Sequence, residues 1–406
     1  MDKTVLYIGN FSLPDGNAAA QRARANARLL VQAGYRVVCV GCSADVAYGA
    51  PVKLTELDEA GIEYWSISLP GSVGEWFRKI TSIAELEPFF TRPGSPIALV
   101  IAYDFPALAL LRLRTRAHRA GAKLVAESTE WYGSFRGFSP IGLVRELDCV
   151  ARMRYANRRA DGLIVASDFL AQTYADTGRP VLILPTLMPD RVDPARIDAA
   201  KAGRAPGPAR LVFSGTGFDP KIVLKLRDGL KDRLDQAIDM LQAAAAHGAD
   251  FRLDIFGVER VDYLAIIPRH RAMLDDLGAR VAFHGMRPRQ EIIDHVLRAD
   301  YTIFIRPDNR LSLAGFPTKY AESVHFGTPV ITNRLGTLTR YHVDGQTGYY
   351  VDPDRIDESG RKLAEIFAAG PDRSRALSRA CAQAGTFAPE SFVVEARAFI
   401  RHVEGA

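Results

Sequence analysis

No stretch of about 18 or more uninterrupted apolar residues occurs in the 406-residue chain, so no membrane-crossing helix is expected. The opening Met1-Asp2-Lys3-Thr4 runs straight into the apolar Val5-Leu6-Tyr7-Ile8 and lacks the layout of a signal peptide. A cytoplasmic location is the expectation. Cysteine is scarce, with four residues, which excludes a disulfide framework. Cys39 and Cys42 have CxxC spacing but lie within Val37-Val38-Cys39-Val40-Gly41-Cys42, which reads as a buried strand. Residues three apart on a strand point to opposite faces, so these two sulfurs are not expected to share a metal. Cys149 and Cys381 are isolated. Gly9 and Gly16 do not make a GxGxxG fingerprint, and no acidic residue falls at the dinucleotide spacing after them. That disfavours a dinucleotide-dependent oxidoreductase. The net charge of +5 comes without the aromatic interleaving or the zinc-finger, KH or RNP patterns of nucleic-acid modules. No nucleic-acid partner is expected.

What is present is the profile of a folded globular protein, 48% hydrophobic and 24% charged, and long enough for two domains with full cores. Short β-branched runs at 4–10, 36–42, 62–68, 98–103, 123–128, 162–166 and 180–184 alternate with helical stretches such as 18–33, closed by Gly34. These runs are nearly continuously apolar, as in parallel strands buried on both faces. The pattern breaks after Leu184-Pro185-Thr186 and passes through Gly203-Arg204-Ala205-Pro206-Gly207-Pro208. It resumes at Arg210-Leu211-Val212-Phe213-Ser214-Gly215, with further strands expected at 251–256, 280–284, 301–305, 329–332 and 348–351. The expected architecture is α/β, with two Rossmann-like doubly wound domains facing across a cleft. Their bounds are expected at 1–188 and 209–388, joined by a linker at 189–208, with a last helix at 389–406 free to pack on either domain. In such sheets ligands bind beyond the carboxyl ends of strands, so functional residues are sought in those loops.

Residues 306–323 are the richest of these loops. Arg306 and Arg310 flank a polar turn; Gly315-Phe316-Pro317 then opens a helix carrying Thr318, Lys319 and Glu322. Proline suits a first helical position, and first-turn N–H groups attract anions. Cations for a diphosphate and one carboxylate for ribose hydroxyls are what a nucleotide sugar requires.

Phe283-His284-Gly285, Ala299-Asp300, the 314–323 block, Gly327-Thr328-Pro329-Val330-Ile331 and Asp344-Gly345-Gln346-Thr347-Gly348 occur in one order. With Gly16-Asn17-Ala18-Ala19-Ala20-Gln21-Arg22, Gly34-Tyr35-Arg36-Val37 and Ser167, they make the chain resemble the GT-B retaining glycosyltransferases of family 4, which build bacterial polysaccharides. The resemblance spans nearly the whole chain. It implies that Glu322 is the second glutamate of the family's E-x7-E motif and binds the donor ribose. The first glutamate falls at Ala314, as in branches with Ala-Gly-Phe-Pro-Thr-Lys at this place. Backbone N–H groups at Gly315 and Phe316 are then expected to hold the sugar. The donor set implied is Gly215, Thr216, Lys231, Arg306, Gly315, Phe316, Pro317, Thr318, Lys319 and Glu322. Lys231 is favoured as the diphosphate clamp, with Lys221 as competitor.

In the first domain, Glu130 or Glu127 is expected to face the reacting centre. The resemblance puts Gly16, Asn17 and Arg22 in a loop that meets the acceptor or a phosphate. His284 is as readily a packing residue as a base-recognition one. The resemblance implies a metal-independent enzyme, so Asp352-Pro353-Asp354, which follows the last strand, reads as a turn, and no metal or other cofactor is expected. The basic-aromatic run Trp76-Phe77-Arg78-Lys79-Ile80 and the cluster Arg152, Arg154, Arg158 and Arg159 point to a peripheral contact with the inner face of the cell membrane. The expected partners are therefore a nucleotide sugar, a saccharide or lipid-linked acceptor, and that surface. The expected activity is retaining, metal-independent glycosyl transfer in cell-surface polysaccharide or glycolipid synthesis. A non-catalytic partner of another transferase and a nucleotide-sugar epimerase of the same fold are the alternatives.

Overall fold

The computed structural model describes residues 3–13, 16–55, 58–92, 96–131, 140–190, 192–215, 217–223 and 230–405. The first sheet has eight strands: β1 Thr4–Gly9, β2 Arg36–Ser43, β3 Val52–Thr55, β4 Ile62–Ser68, β5 Ile97–Tyr103, β6 Lys123–Ser128, β7 Gly162–Val165 and β8 Val181–Ile183. Their spatial order is β3-β4-β2-β1-β5-β6-β7-β8. Every pairing is parallel except that of β3, an exposed antiparallel edge strand that the apolar pattern did not announce. Its sequence, Val52-Lys53-Leu54-Thr55, is short and half polar, because an edge strand with one open face needs no continuous apolar run.

The second sheet contains β9 Ala209–Ser214, β10 Phe251–Phe256, β11 Val281–Gly285, β12 Tyr301–Ile303, β13 Val330–Thr332 and β14 Gly348–Tyr350. It is wholly parallel, in the order β11-β10-β9-β12-β13-β14. The order reverses between β9 and β12 here and between β1 and β5 in the first sheet, which opens a crevice beyond the strand ends at each point.

Both sheets are covered on two faces. Cys39 packs with Tyr7, Val37 and Tyr64 on one side of the first sheet, and Cys42 packs with Val38, Val40 and Ile67 on the other. The two thiols are thus core residues on opposite faces. Helix Ala18–Gln32 is capped by Asn17, whose side chain accepts from the Ala20 N–H at 2.8 Å. The last helix, Val393–Glu404, buries Phe399, Ile400 and Val403 against the first domain. It approaches β7 so closely that a Cβ on Gly162 would lie 2.5 Å from Val403. Glycine is needed there for that contact.

The stretch expected as a plain linker holds helix Pro194–Lys201, which belongs to the second domain. Its Ile197 packs with Val212, Phe256 and Val296, and Lys201 donates from Nζ to the Ala299 carbonyl at 2.6 Å. The two crossings between domains lie side by side, the Met188 N–H bonding to the Phe387 carbonyl at 2.9 Å.

Candidate active site

The centre of the second domain is an aspartate that the sequence reading overlooked. Asp232 is buried and bridges two cations, with Arg306 Nε at 3.1 Å and Lys319 Nζ at 2.7 Å. Arg306 follows β12 at the point of strand reversal, and its backbone exchanges hydrogen bonds with the Asn333 side chain after β13. Lys319 comes from the first turn of helix Thr318–His325, and its ammonium lies over the Phe213 ring at 4.6 Å. Gly215, just beyond β9, completes this corner, since a Cβ there would sit 3.2 Å from Lys319 Nζ.

Burial alone would push the Asp232 carboxyl up, but Lys319 and Arg306 outweigh it and hold the group below the ordinary carboxylate value. Burial lowers the Lys319 ammonium in turn, and Arg306 and Lys231 press it further down against the pull of Asp232. On the second domain three cations (Lys231, Arg306 and Lys319) meet one carboxylate. A further anion would relieve that imbalance.

Across the cleft, Lys231 Nζ bonds to the Glu130 carboxylate of the first domain. Lys221, the competing clamp residue, is exposed on helix Pro220–Val223. Glu130 and Glu127 part company here, because β6 ends at Ser128. Glu130 lies past the end and reaches the cleft. Glu127 is buried inside the domain, accepting from Arg22 Nε at 2.7 Å, from Asn26 Nδ2 at 3.1 Å and from the Tyr7 hydroxyl. It is therefore not a cleft residue. Arg22 is corrected with it: it is buried, and its remaining nitrogens donate to the Leu184 and Pro185 carbonyls at 2.9 Å each, so it points into the domain. Gly16 is a tight-turn residue that bonds back to the Ser12 carbonyl at 2.8 Å, and Asn17 is occupied as the helix cap.

Glu322 lies one turn beyond Lys319 and bonds to Arg289 at 2.9 Å. Burial raises its carboxyl and Arg289 opposes that rise. Pro317 is the cap of its helix rather than the first helical residue; the helix starts at Thr318, and the Pro317 carbonyl accepts from the Tyr320 N–H at 3.0 Å. The Gly315 N–H, one of the two backbone donors expected for the sugar, bonds instead to the Leu311 carbonyl at 3.3 Å, closing the short helix Arg310–Ala314. The Phe316 ring is core, packed on Tyr320, Tyr341 and Phe387. Thr216 and residues 132–136 and 224–229 of the expected loops lie outside the described residues.

The missing first glutamate has a structural reason. Ala314 is fully buried in a cluster with Met153, Leu163, Leu170 and Tyr174 of the first domain, and its carbonyl accepts from Ser167 Oγ at 2.7 Å. A longer acidic side chain at this position would enter apolar packing between the domains. Gly315 beside it faces Thr129 and Glu130; a Cβ there would lie 3.6 Å from the Thr129 carbonyl.

Among the charged runs of the first domain, Arg152 is buried and pairs with Asp104 at 3.2 Å, so the arginine cluster does not form one exposed face. His284 bonds to Asp254 at 2.8 Å and stacks on Phe256, which makes it a packing residue. Asp352 accepts from the Asp354 N–H at 3.0 Å within a turn. Among the described residues no group of three or more His, Cys, Asp or Glu side chains is placed to hold a metal ion.

Two α/β domains with parallel-sheet cores, a cation-rich corner on one of them, have the GT-B architecture seen in glycosyltransferases. Residues 219–383 match the family Glycosyl transferases group 1, and residues 17–185 match the Glycosyl transferase 4-like domain, so the chain is a glycosyltransferase assembled from these two parts. Among solved structures, sucrose-phosphate synthase from Thermosynechococcus elongatus aligns over 99% of both chains, with a TM-score of 0.64 and 16% identity. HepE of Anabaena, in complex with UDP and glucose, aligns over 99% of both chains with a TM-score of 0.57 and 15% identity. The GDP-mannose-dependent alpha-(1-6)-phosphatidylinositol monomannoside mannosyltransferase of Mycolicibacterium smegmatis is 28% identical over 277 residues, covering 67% of this chain and 68% of that protein.

Proposed function

We propose that this glycosyltransferase moves a sugar, with retention of anomeric configuration, from a nucleoside-diphosphate donor on the second domain to a hydroxyl of a saccharide or lipid-linked acceptor on the first. The observation that carries the reading is the excess of positive charge around Asp232, opposite Glu130. A diphosphate brings the negative charge that the corner lacks, and Glu322, one turn beyond Lys319 and beside Arg289, is the carboxylate this reading gives to the ribose hydroxyls. The acceptor oxygen attacks the anomeric carbon on the face from which the diphosphate departs. As the bond to the diphosphate oxygen breaks, that oxygen takes the acceptor proton. Lys231, Arg306 and Lys319 hold the charge that develops on the leaving group, so this chemistry needs no protein nucleophile and no metal. Glu130 is the first-domain carboxylate next to the reacting centre.

The acceptor side supports work at a lipid surface. Helix Val73–Thr81 exposes Val73 and Phe77 beside Arg78, and helix Pro140–Ala151 exposes Ile141, Leu143 and Leu147 beside Arg145. Apolar side chains interleaved with arginines suit the anionic inner face of a membrane, where glycolipid or polysaccharide precursors would be met.

A thermal-shift panel of GDP, UDP and ADP with their common sugar conjugates, on wild type and Glu322→Ala, tests the reading. GDP-mannose and UDP-glucose come first, following the ligands of the similar proteins. A shift with one nucleotide, abolished in Glu322→Ala, is expected. No shift with any nucleotide at millimolar concentration would favour a non-catalytic partner protein instead.

A further inference from the structure

We propose that a second cleft on the donor domain, adjoining the diphosphate corner at Arg306, binds the distal units of a neutral oligosaccharide acceptor whose reacting end lies against the first domain; the inference rests on the reading of the protein as a transferase acting on a sugar hydroxyl. The cleft has a volume of about 730 Å³ and lies beyond the carboxyl ends of β12, β13 and β14, where parallel sheets bind ligands. Ligand sites typically enclose about 300–1,000 Å³, so this space suits several sugar units. Of the three donor-corner cations only Arg306 lines it, and Arg233, two residues after Lys231, lines it too.

Its chemistry differs from that of the diphosphate corner. Four basic and five acidic side chains line it, so no sign of charge prevails and an anion gains little by entering. Planar carboxylates, guanidiniums and amides grip adjacent hydroxyls with paired hydrogen bonds, which is how a neutral polyol is held. Two polar groups stand ready for this. The Arg334 guanidinium is fixed 4.3 Å over the Tyr350 ring, and no carboxylate among the described residues pairs with it. Gln236, on the first turn of helix Leu234–Ala246, adds an amide to the lining. The distal units of such a saccharide would lie along Arg334 and Gln236 on the donor domain, with its reacting end at Glu130 of the first.

Saturation-transfer NMR with mannose oligomers from mono- to tetrasaccharide, with glucose 1-phosphate as the anionic comparison, tests this on the full chain. Nucleotide thermal shifts are measured in parallel on wild type, Arg334→Ala and Gln236→Ala. Affinity should rise with oligomer length and exceed that for the phosphate. Arg334→Ala should lower tetrasaccharide affinity about tenfold, the loss of a charged hydrogen bond, with the nucleotide shift unchanged. The proposal is overturned by absence of binding, by equal binding of mono- and tetrasaccharide, by preference for glucose 1-phosphate, or by indifference to both substitutions. A nucleotide shift without oligosaccharide binding sinks this inference alone. Oligosaccharide binding without any nucleotide shift sinks the donor reading and leaves the cleft a saccharide site.

Discussion

Two buried carboxylates, each gripping an arginine, sit in the two halves of the molecule and do different things. Glu127 in the first domain meets one cation, Arg22, and the rest of that guanidinium goes to backbone carbonyls. Asn26 and Tyr7 complete the shell, so the network is balanced and closed. Asp232 in the second domain meets two cations, with a third beside it that pairs with a carboxylate from across the cleft. Burial is similar in both places; the charge count is not. A balanced pair cements a domain, whereas an unbalanced one at a strand reversal is a site waiting for an anion.

That contrast can be broken from either side. Glu127→Ala should cost the most, about 3–5 kcal/mol, because it leaves the Arg22 guanidinium buried without its counter-charge. Urea unfolding measures that loss, and a change within 1 kcal/mol, roughly the scale of a surface substitution, would mean that the network is not structural. Lys319→Met should do the reverse, lowering turnover by about 10²–10³-fold, as removal of one transition-state charge donor does, while the fold persists. Steady-state rates at saturating donor, set beside the unfolding curve, distinguish the two. A third buried group has no ion partner among the described residues. His342 is fully packed between Tyr320 and Tyr350, and burial holds its imidazole at about 4, below its ordinary 6.5. The unfolded chain binds more protons between those values, so stability should fall as pH drops from 6.5 to 4, by at most about 3 kcal/mol. His342→Phe should flatten that slope in pH-dependent unfolding; an unaltered slope would place the acid sensitivity elsewhere. The smallest effect on folding is expected at the exposed Leu147: Leu147→Glu should change stability by less than about 0.5 kcal/mol. Its readout is sedimentation with anionic vesicles, which should weaken; undiminished binding would remove that helix from the membrane face.

The alternation of apolar runs and helices made the two-sheet plan legible, since strands buried on both faces leave a strong signal. The edge strand β3 and the helix Pro194–Lys201 left none, one because it is short and half polar, the other because its Pro- and Ala-rich segment resembles a linker. In the candidate site, Arg306, Lys319 and Glu322 could be singled out from the loop and helix after a strand end, and Lys231 from the resemblance. Asp232 could not, although its adjacency to Lys231 was visible, because nothing local says that a carboxylate turns inward between two distant cations. Glu127 and Glu130 were inseparable for a related reason. Three residues decide whether a side chain ends in the core or in the cleft, and where a strand stops depends on its neighbours in the sheet. Arg22 misled because a helix arginine near a loop resembles a ligand contact, while its partners lie more than a hundred residues away.

The unbalanced corner itself is open to one comparison: the affinity of a nucleoside diphosphate against its parent nucleoside, by calorimetry, for wild type and Lys319→Met. Wild type should prefer the diphosphate by at least about a hundredfold, the worth of two charge-assisted hydrogen bonds, and the variant should lose about tenfold of that preference. Equal affinity for nucleoside and diphosphate in wild type would contradict the diphosphate role of Lys231, Arg306 and Lys319.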